Sequence, residues 1–427
     1  MGAASASQLP SGLPEQNLPA RFLAARAASE RLATGLSDAD ATVQSMPDAS
    51  PAKWHLAHTS WFFETLILEP HAPDFQPFDP RFGYLFNSYY ETLGPRHDRP
   101  RRGMLTRPTL AEVLDYRRHV TAAVLALVES RPSREMAALV ELGCQHEQQH
   151  QELLLTDILH LFASNPLEPA CFSAPSPVAT GEPPEPGFID MPGGIVEIGH
   201  DGPGFAFDCE GPRHRRLLEP YRIANWPVTN RAWIAFIADG GYAEPRWWLS
   251  EGWAARQETG WEAPLYWELR DGIWTTMSLH GRRPVMPEAP VCHISFYEAD
   301  AYARWAGLRL PTEFEWECAF ADAPVRGNFA DSRLFAPHGA LAGAAASPTK
   351  AYGDVWEWTA SAFSPYPRFR PAAGAVGEYN GKFMSGQYVL RGGSCATPAG
   401  HVRPGYRNFF PPHARWQFSG LRLAADC

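Results

Sequence analysis

The seven cysteines of the chain include no Cys-x-x-Cys pair, and their number is odd. A chain of 427 residues does not need disulfide staples, so a reducing cytoplasm is the expected setting. No apolar run reaches the roughly 18 residues a membrane span requires, so no membrane segment is expected. Basic charge is also scarce. Lys and Arg total 37 against 47 Asp and Glu, a formal net charge of -10, which argues against a general nucleic-acid binder. No fixed-period repeat is present, which sets repeat architectures aside. The opening stretch MGAASASQLPSGLPEQ lacks a basic start and an apolar core, so it does not read as a secretory leader. Ala6 breaks a myristoylation signal, and a frayed polar tail is expected there.

What is present is ample apolar sequence, 45% hydrophobic and 12% aromatic, arranged in two grammars. Residues 15–165 read as a four-helix bundle. Four stretches carry apolar residues at helical spacing. They are LPARFLAARAASERLATGL, SPAKWHLAHTSWFFETLILE, TLAEVLDYRRHVTAAVLALVES and SREMAALVELGCQHEQQHQELLLTDILHLFA. Ser50 with Pro51 suggests an N-cap and first helical position, and Thr109 with Glu112 a capping box. Residues 166–187 form a Pro-rich linker or wrapping loop. From Phe188 to Cys427 the segments are short, aromatic and β-branched, broken by Gly and Pro, which predicts a mixed domain and an α+β chain.

The candidate chemistry sits in LGCQHEQQHQELLL, Leu142–Leu155. His146 and His150 are four apart, so they share one helix face with Leu142, Ile158 and Leu161. A buried neutral imidazole needs partners for both nitrogens, and a metal supplies one. The second helix offers His55 and His58, either of which could complete a three-nitrogen face. Spacing leaves that choice open. It also leaves Zn, Fe, Co and Ni open, since three histidines with vacant positions suit them all.

These residues resemble a known family. HEQQHQE matches the HxxxHxE motif of the ergothioneine-pathway sulfoxide synthases, and KWHLAHTSWFFE is similar to their second bundle helix. FNSYYETLGPRHDRPRRG looks like their inter-helix segment. RLPTEFEWE, GDVWEWT and RGGSCATP resemble the formylglycine-generating-enzyme, sulfatase-modifying type of domain. The resemblance implies a DinB-like bundle fused to a C-type-lectin-like domain, with non-haem Fe(II) on His58, His146 and His150. The implied reaction couples a thiol, cysteine or glutamyl-cysteine, to C2 of the hercynine imidazole, using O2 and leaving a sulfoxide. A sister branch joins a selenosugar to hercynine and yields selenoneine.

On that resemblance Tyr89 and Tyr90 are the catalytic candidates, and Gln149 a contact to the substrate imidazole. Glu152 is expected to support a ligand histidine. Arg96 and Arg99 are the candidates for a donor carboxylate, while Arg101 and Arg102 read as solvated. Asn408, Phe409 and Phe410 would wall a trimethylammonium group against the bundle. The competing readings are a zinc-dependent thiol transferase, a copper oxidase, whose cysteine pair Cys318 and Cys395 do not announce, and a non-enzymatic lectin-like binding module.

Overall fold

The computed structural model describes residues 18–130, 132–175, 186–340 and 349–427. The tail ahead of Leu18, and the linker between residues 175 and 186, lie outside the described residues. The chain clusters into two units, and no helix among the described residues is long and apolar enough to cross a membrane.

The first unit contains four principal helices: α1 Leu18–Ala33, α2 Ala52–Phe63, α3 Leu110–Glu129 and α4 Arg134–Ala163. Two later segments, Gly202–Ala206 and Arg370–Asn380, cluster with them. Side-chain caps begin α3, as expected, and α4. Thr109 and Glu112 form the capping box of α3, and Ser133 accepts the Met136 N–H at the head of α4. The exception is α2. Pro51 itself is the N-cap residue, without a side-chain cap, and the helix begins at Ala52. Ser50 is used elsewhere: its N–H donates to Asp157 and its hydroxyl accepts from Arg102.

Every residue of α2 is buried, so its polar side chains need protein partners. One buried carboxylate, Glu147 on α4, organises much of this. It accepts from Arg26 at 3.0 Å, Arg117 at 2.7 Å and Ser29 at 2.6 Å. Arg26 goes on to Ser60 and Arg117 to Thr59, so the cluster ties all four helices together. Burial alone would raise the Glu147 carboxyl, but the two guanidiniums outweigh it and hold it down at about 2. Gly143 allows α2 and α4 their close approach, because a Cβ there would lie 2.4 Å from the Phe63 ring.

Between α2 and α3 runs a long excursion of short helical turns, including Phe82–Leu85, Glu91–Leu93 and Arg99–Met104.

The second unit holds the sheets. Its largest joins Asn408–Phe410, Tyr388–Arg391, Trp356–Ala362 and Ser419–Leu421, antiparallel except for the last pair. A second sheet pairs Tyr221–Ala224 with Phe188–Met191 on one side and Ala424–Asp426 on the other, so the first and last strands of the unit flank one central strand. The GDVWEWT motif is core: Trp356 and Trp358 are buried, and Glu357 accepts from Trp316 and Arg422. Gly353 at φ +78° must be glycine, since a Cβ would meet Asn328 backbone at 2.6 Å. Phe409 stacks on Phe363 at 4.1 Å within this unit, and Asn408, Phe409 and Phe410 are each half-buried.

Candidate metal centre

His58 on α2 and His146 and His150 on α4 converge. Each offers a ligand atom within 4.8 Å of the others, and among the described residues they are the one such cluster of three. Ring centroids are 4.5 to 4.9 Å apart. The geometry follows from the helices: His146 and His150 stand one turn apart on α4, and α2 brings His58 up to both.

Aromatic rings enclose the cluster. His58 stacks on Trp54 at 4.6 Å and on Trp61 at 5.4 Å, and Phe62 stacks on His146 at 4.4 Å. This dry setting fixes the charge state. Burial pushes the His146 imidazole down to about 3, and burial with mutual repulsion holds His58 and His150 well below their usual range. All three are therefore neutral near pH 7, as metal ligation requires.

The hydrogen bonds fit a metal. Nδ1 of His58 donates to the Phe86 carbonyl at 2.6 Å, which leaves Nε2 with its lone pair. That Nε2, and both ring nitrogens of His146, are buried with no protein partner. Such atoms cost about 1–3 kcal/mol each unless something binds them. A divalent transition metal would do so.

Tyr90 is fully buried near this cluster, 5.4 Å from Trp61 between ring centroids, with Tyr89 stacked on it at 4.7 Å. Burial, then Tyr89, keeps the Tyr90 phenol protonated. Gln149 faces a residue the sequence did not announce. Tyr379, from the later segment that clusters with the bundle, donates its hydroxyl to Gln149 Oε1 and sets its ring 5.7 Å from His146. Beside it, Glu378 accepts the backbone N–H groups of Glu91 and Thr92, each at 3.0 Å.

The arginines sort differently from expectation. Arg96 pairs with Glu91, and Arg99 is exposed and donates to the Asp48 carbonyl. Arg102 is not solvated but buried. Its guanidinium lies 3.4 Å over the Trp54 ring, with Ser50 and Ser88 hydroxyls accepting from it. The indole face offsets the burial of the cation. A carboxylate, Asp157, reaches His150 through His55. Asn408, Phe409 and Phe410 belong to the second unit.

Comparison with known proteins agrees with both halves. Residues 21–154 match the DinB superfamily, and residues 173–427, more than half the chain, match the sulfatase-modifying factor enzyme 1-like domain. The chain is 37% identical to the hercynine oxygenase of Mycolicibacterium smegmatis over 91% of its own length and 94% of that protein. It is 35% identical to the hercynine oxygenase of Mycobacterium tuberculosis, over 97% and 99%. Ergothioneine biosynthesis protein 1 of Schizosaccharomyces pombe is 27% identical over 52% of this chain and 28% of that one. With two domain types in this order and relatives aligned nearly end to end, the chain belongs to the hercynine oxygenase family, the sulfoxide synthases of the ergothioneine pathway.

Proposed function

We propose that this protein is an O2-dependent, non-haem Fe(II) sulfoxide synthase that joins cysteine or glutamyl-cysteine to C2 of the hercynine imidazole. The observation that carries this is the converging trio of neutral histidines, two of them buried with unpartnered ring nitrogens, His58 at Nε2 and His146 at both. His58, His146 and His150 would hold the iron, and a ligand set without carboxylate favours binding of an anionic thiolate. Bound there, Fe(II) supplies the Lewis acidity that deprotonates a thiol and the redox chemistry that O2 demands. The stoichiometry closes without an outside reductant. The S–H and C2–H hydrogens leave in water with one oxygen atom, and the other oxygen ends in the sulfoxide.

The remaining residues bind, orient and move protons. Trp54, Trp61 and Phe62 keep water from the histidines. Tyr90 and Tyr379 are the two proton donors we assign. Tyr90 is kept protonated by burial, with Tyr89 packed on it, and Tyr379 is oriented by Gln149. For a substrate carboxylate we assign Arg102 ahead of Arg96 and Arg99, because it is the buried cation stacked on the Trp54 ring that also covers His58.

The test is a mass spectrum of products after incubation of the Fe(II)-loaded protein in air with hercynine and, separately, cysteine, glutamyl-cysteine and a selenosugar. A hercynine sulfoxide with one of the thiols is expected. Product from the selenosugar alone would move the protein to the selenoneine branch. No adduct from any donor would overturn the proposal.

A further inference from the structure

His55 stands one turn before His58 on α2 and is not one of the three clustered histidines. Its ring is engaged at both nitrogens. Nδ1 lies 2.9 Å from Nδ1 of His150, and Nε2 lies 2.9 Å from Oδ2 of Asp157. The same Oδ2 accepts the Ser50 N–H at 2.8 Å, and Asp157 is buried.

Between neutral rings these contacts have one consistent arrangement of hydrogens. A carboxylate only accepts, so Nε2 of His55 carries the hydrogen. A neutral imidazole has a single N–H, so Nδ1 of His55 can only accept. Nδ1 of His150 must then donate, and its Nε2 is left with a lone pair. His58 reaches the same state through the Phe86 carbonyl. The two histidines therefore have their tautomers set by different means, one by main chain and the other through a side-chain relay.

We propose that His55 and Asp157 are positioning residues that fix the ring orientation and tautomer of His150, and thereby set the metal affinity of the site. The proposal rests on the reading of the three histidines as a metal centre. Metal-bound histidines ordinarily lean on a carboxylate or carbonyl directly. Here an extra imidazole stands between. Asp157 is seven residues beyond His150 on α4, so two full turns separate their positions along the helix, and the ring from α2 spans the gap.

The test is anaerobic Co(II) titration of the metal-free full-length protein, followed by visible absorption, for wild type, His55→Phe and Asp157→Asn. His55→Phe keeps an aromatic ring but removes the hydrogen bonds. Asp157→Asn keeps the shape but removes the carboxylate charge that holds the hydrogen on Nε2 of His55, so the tautomer of His150 is no longer fixed. Both variants are expected to bind Co(II) about 10- to 100-fold more weakly, while circular dichroism shows the metal-free proteins folded. If His55→Phe does not fold, Asp157→Asn carries the test alone. A purely structural role would lower the thermal midpoint of the metal-free variants and leave the Co(II) affinity and spectrum of the folded protein unchanged, and that result overturns the relay. A wild-type protein that takes up no Co(II) overturns the metal reading together with the relay. A wild type that binds while both variants match it overturns the relay alone.

Discussion

One tyrosine packs on the histidine cluster and another on the rings that cover it. Tyr379 donates to Gln149 and sets its ring against His146, whereas Tyr90 is sealed among Trp61, Phe62 and Tyr89. A proton donor at the reacting centre contributes on the order of 10²- to 10⁴-fold. Tyr379→Phe and Tyr90→Phe should each be assayed for kcat and KM. A fall in kcat of that order, with KM nearly unchanged, is expected for each variant, and an unchanged kcat would remove that phenol from the chemistry. Arg102→Met keeps the side-chain length and loses the charge. It is expected to raise KM for one of the two substrates at least tenfold, because a charge-assisted contact of about 1.5–3 kcal/mol disappears. At this scale the sequence was legible where spacing speaks. The His146 and His150 pair is a helix-face pattern. Arg102 and Tyr379 were not legible: a buried arginine looks like its solvated neighbours Arg99 and Arg101, and 229 residues separate Tyr379 from His150 with no local signal.

The bundle helices are held by polar contacts as much as by apolar ones. Glu147 sits inside HEQQH, but it faces Arg26 and Arg117, away from any ligand role. Glu147→Gln leaves the buried Arg26 guanidinium without its anion and Arg117 with Glu30 alone. A loss of about 3–5 kcal/mol is expected in chemical denaturation. Glu64, in the turn Glu64–Leu68 that extends α2, behaves in the opposite way. Burial pushes its carboxyl up to about 7, against the Tyr116 hydroxyl that donates to it at 3.0 Å. The folded protein thus holds this proton more tightly than the unfolded chain. The stabilisation is complete below the ordinary carboxyl range and is lost as pH rises through about 7. Thermal midpoints of wild type and Glu64→Gln should diverge between pH 5 and pH 8, with the wild type losing ground at the higher pH; parallel curves would show that Glu64 ionises normally. The four helices were readable from periodicity and from the Thr109–Glu112 cap. The start of α2 was not, because Ser50 is drawn off by Asp157 and Arg102 rather than capping the helix.

In the whole molecule, the change from helical periodicity to short aromatic segments separates the helical half from the mixed one. What the linear order hid is that residues 202–206 and 370–380 cluster with the bundle. Their sequence carries no periodicity that assigns them to either unit. The relatives align across both domain types, so the family assignment concerns the whole chain. The central claim is that one ferrous ion on His58, His146 and His150 couples a thiol to hercynine with O2. Dioxygen uptake, measured against product formed, tests it most directly in protein reconstituted with Fe(II) and in the His58→Ala variant. One O2 per adduct is expected in the wild type, only when Fe(II), hercynine and thiol are all present, and none in the variant. Adduct formed at the full rate without O2, or by His58→Ala, would contradict it.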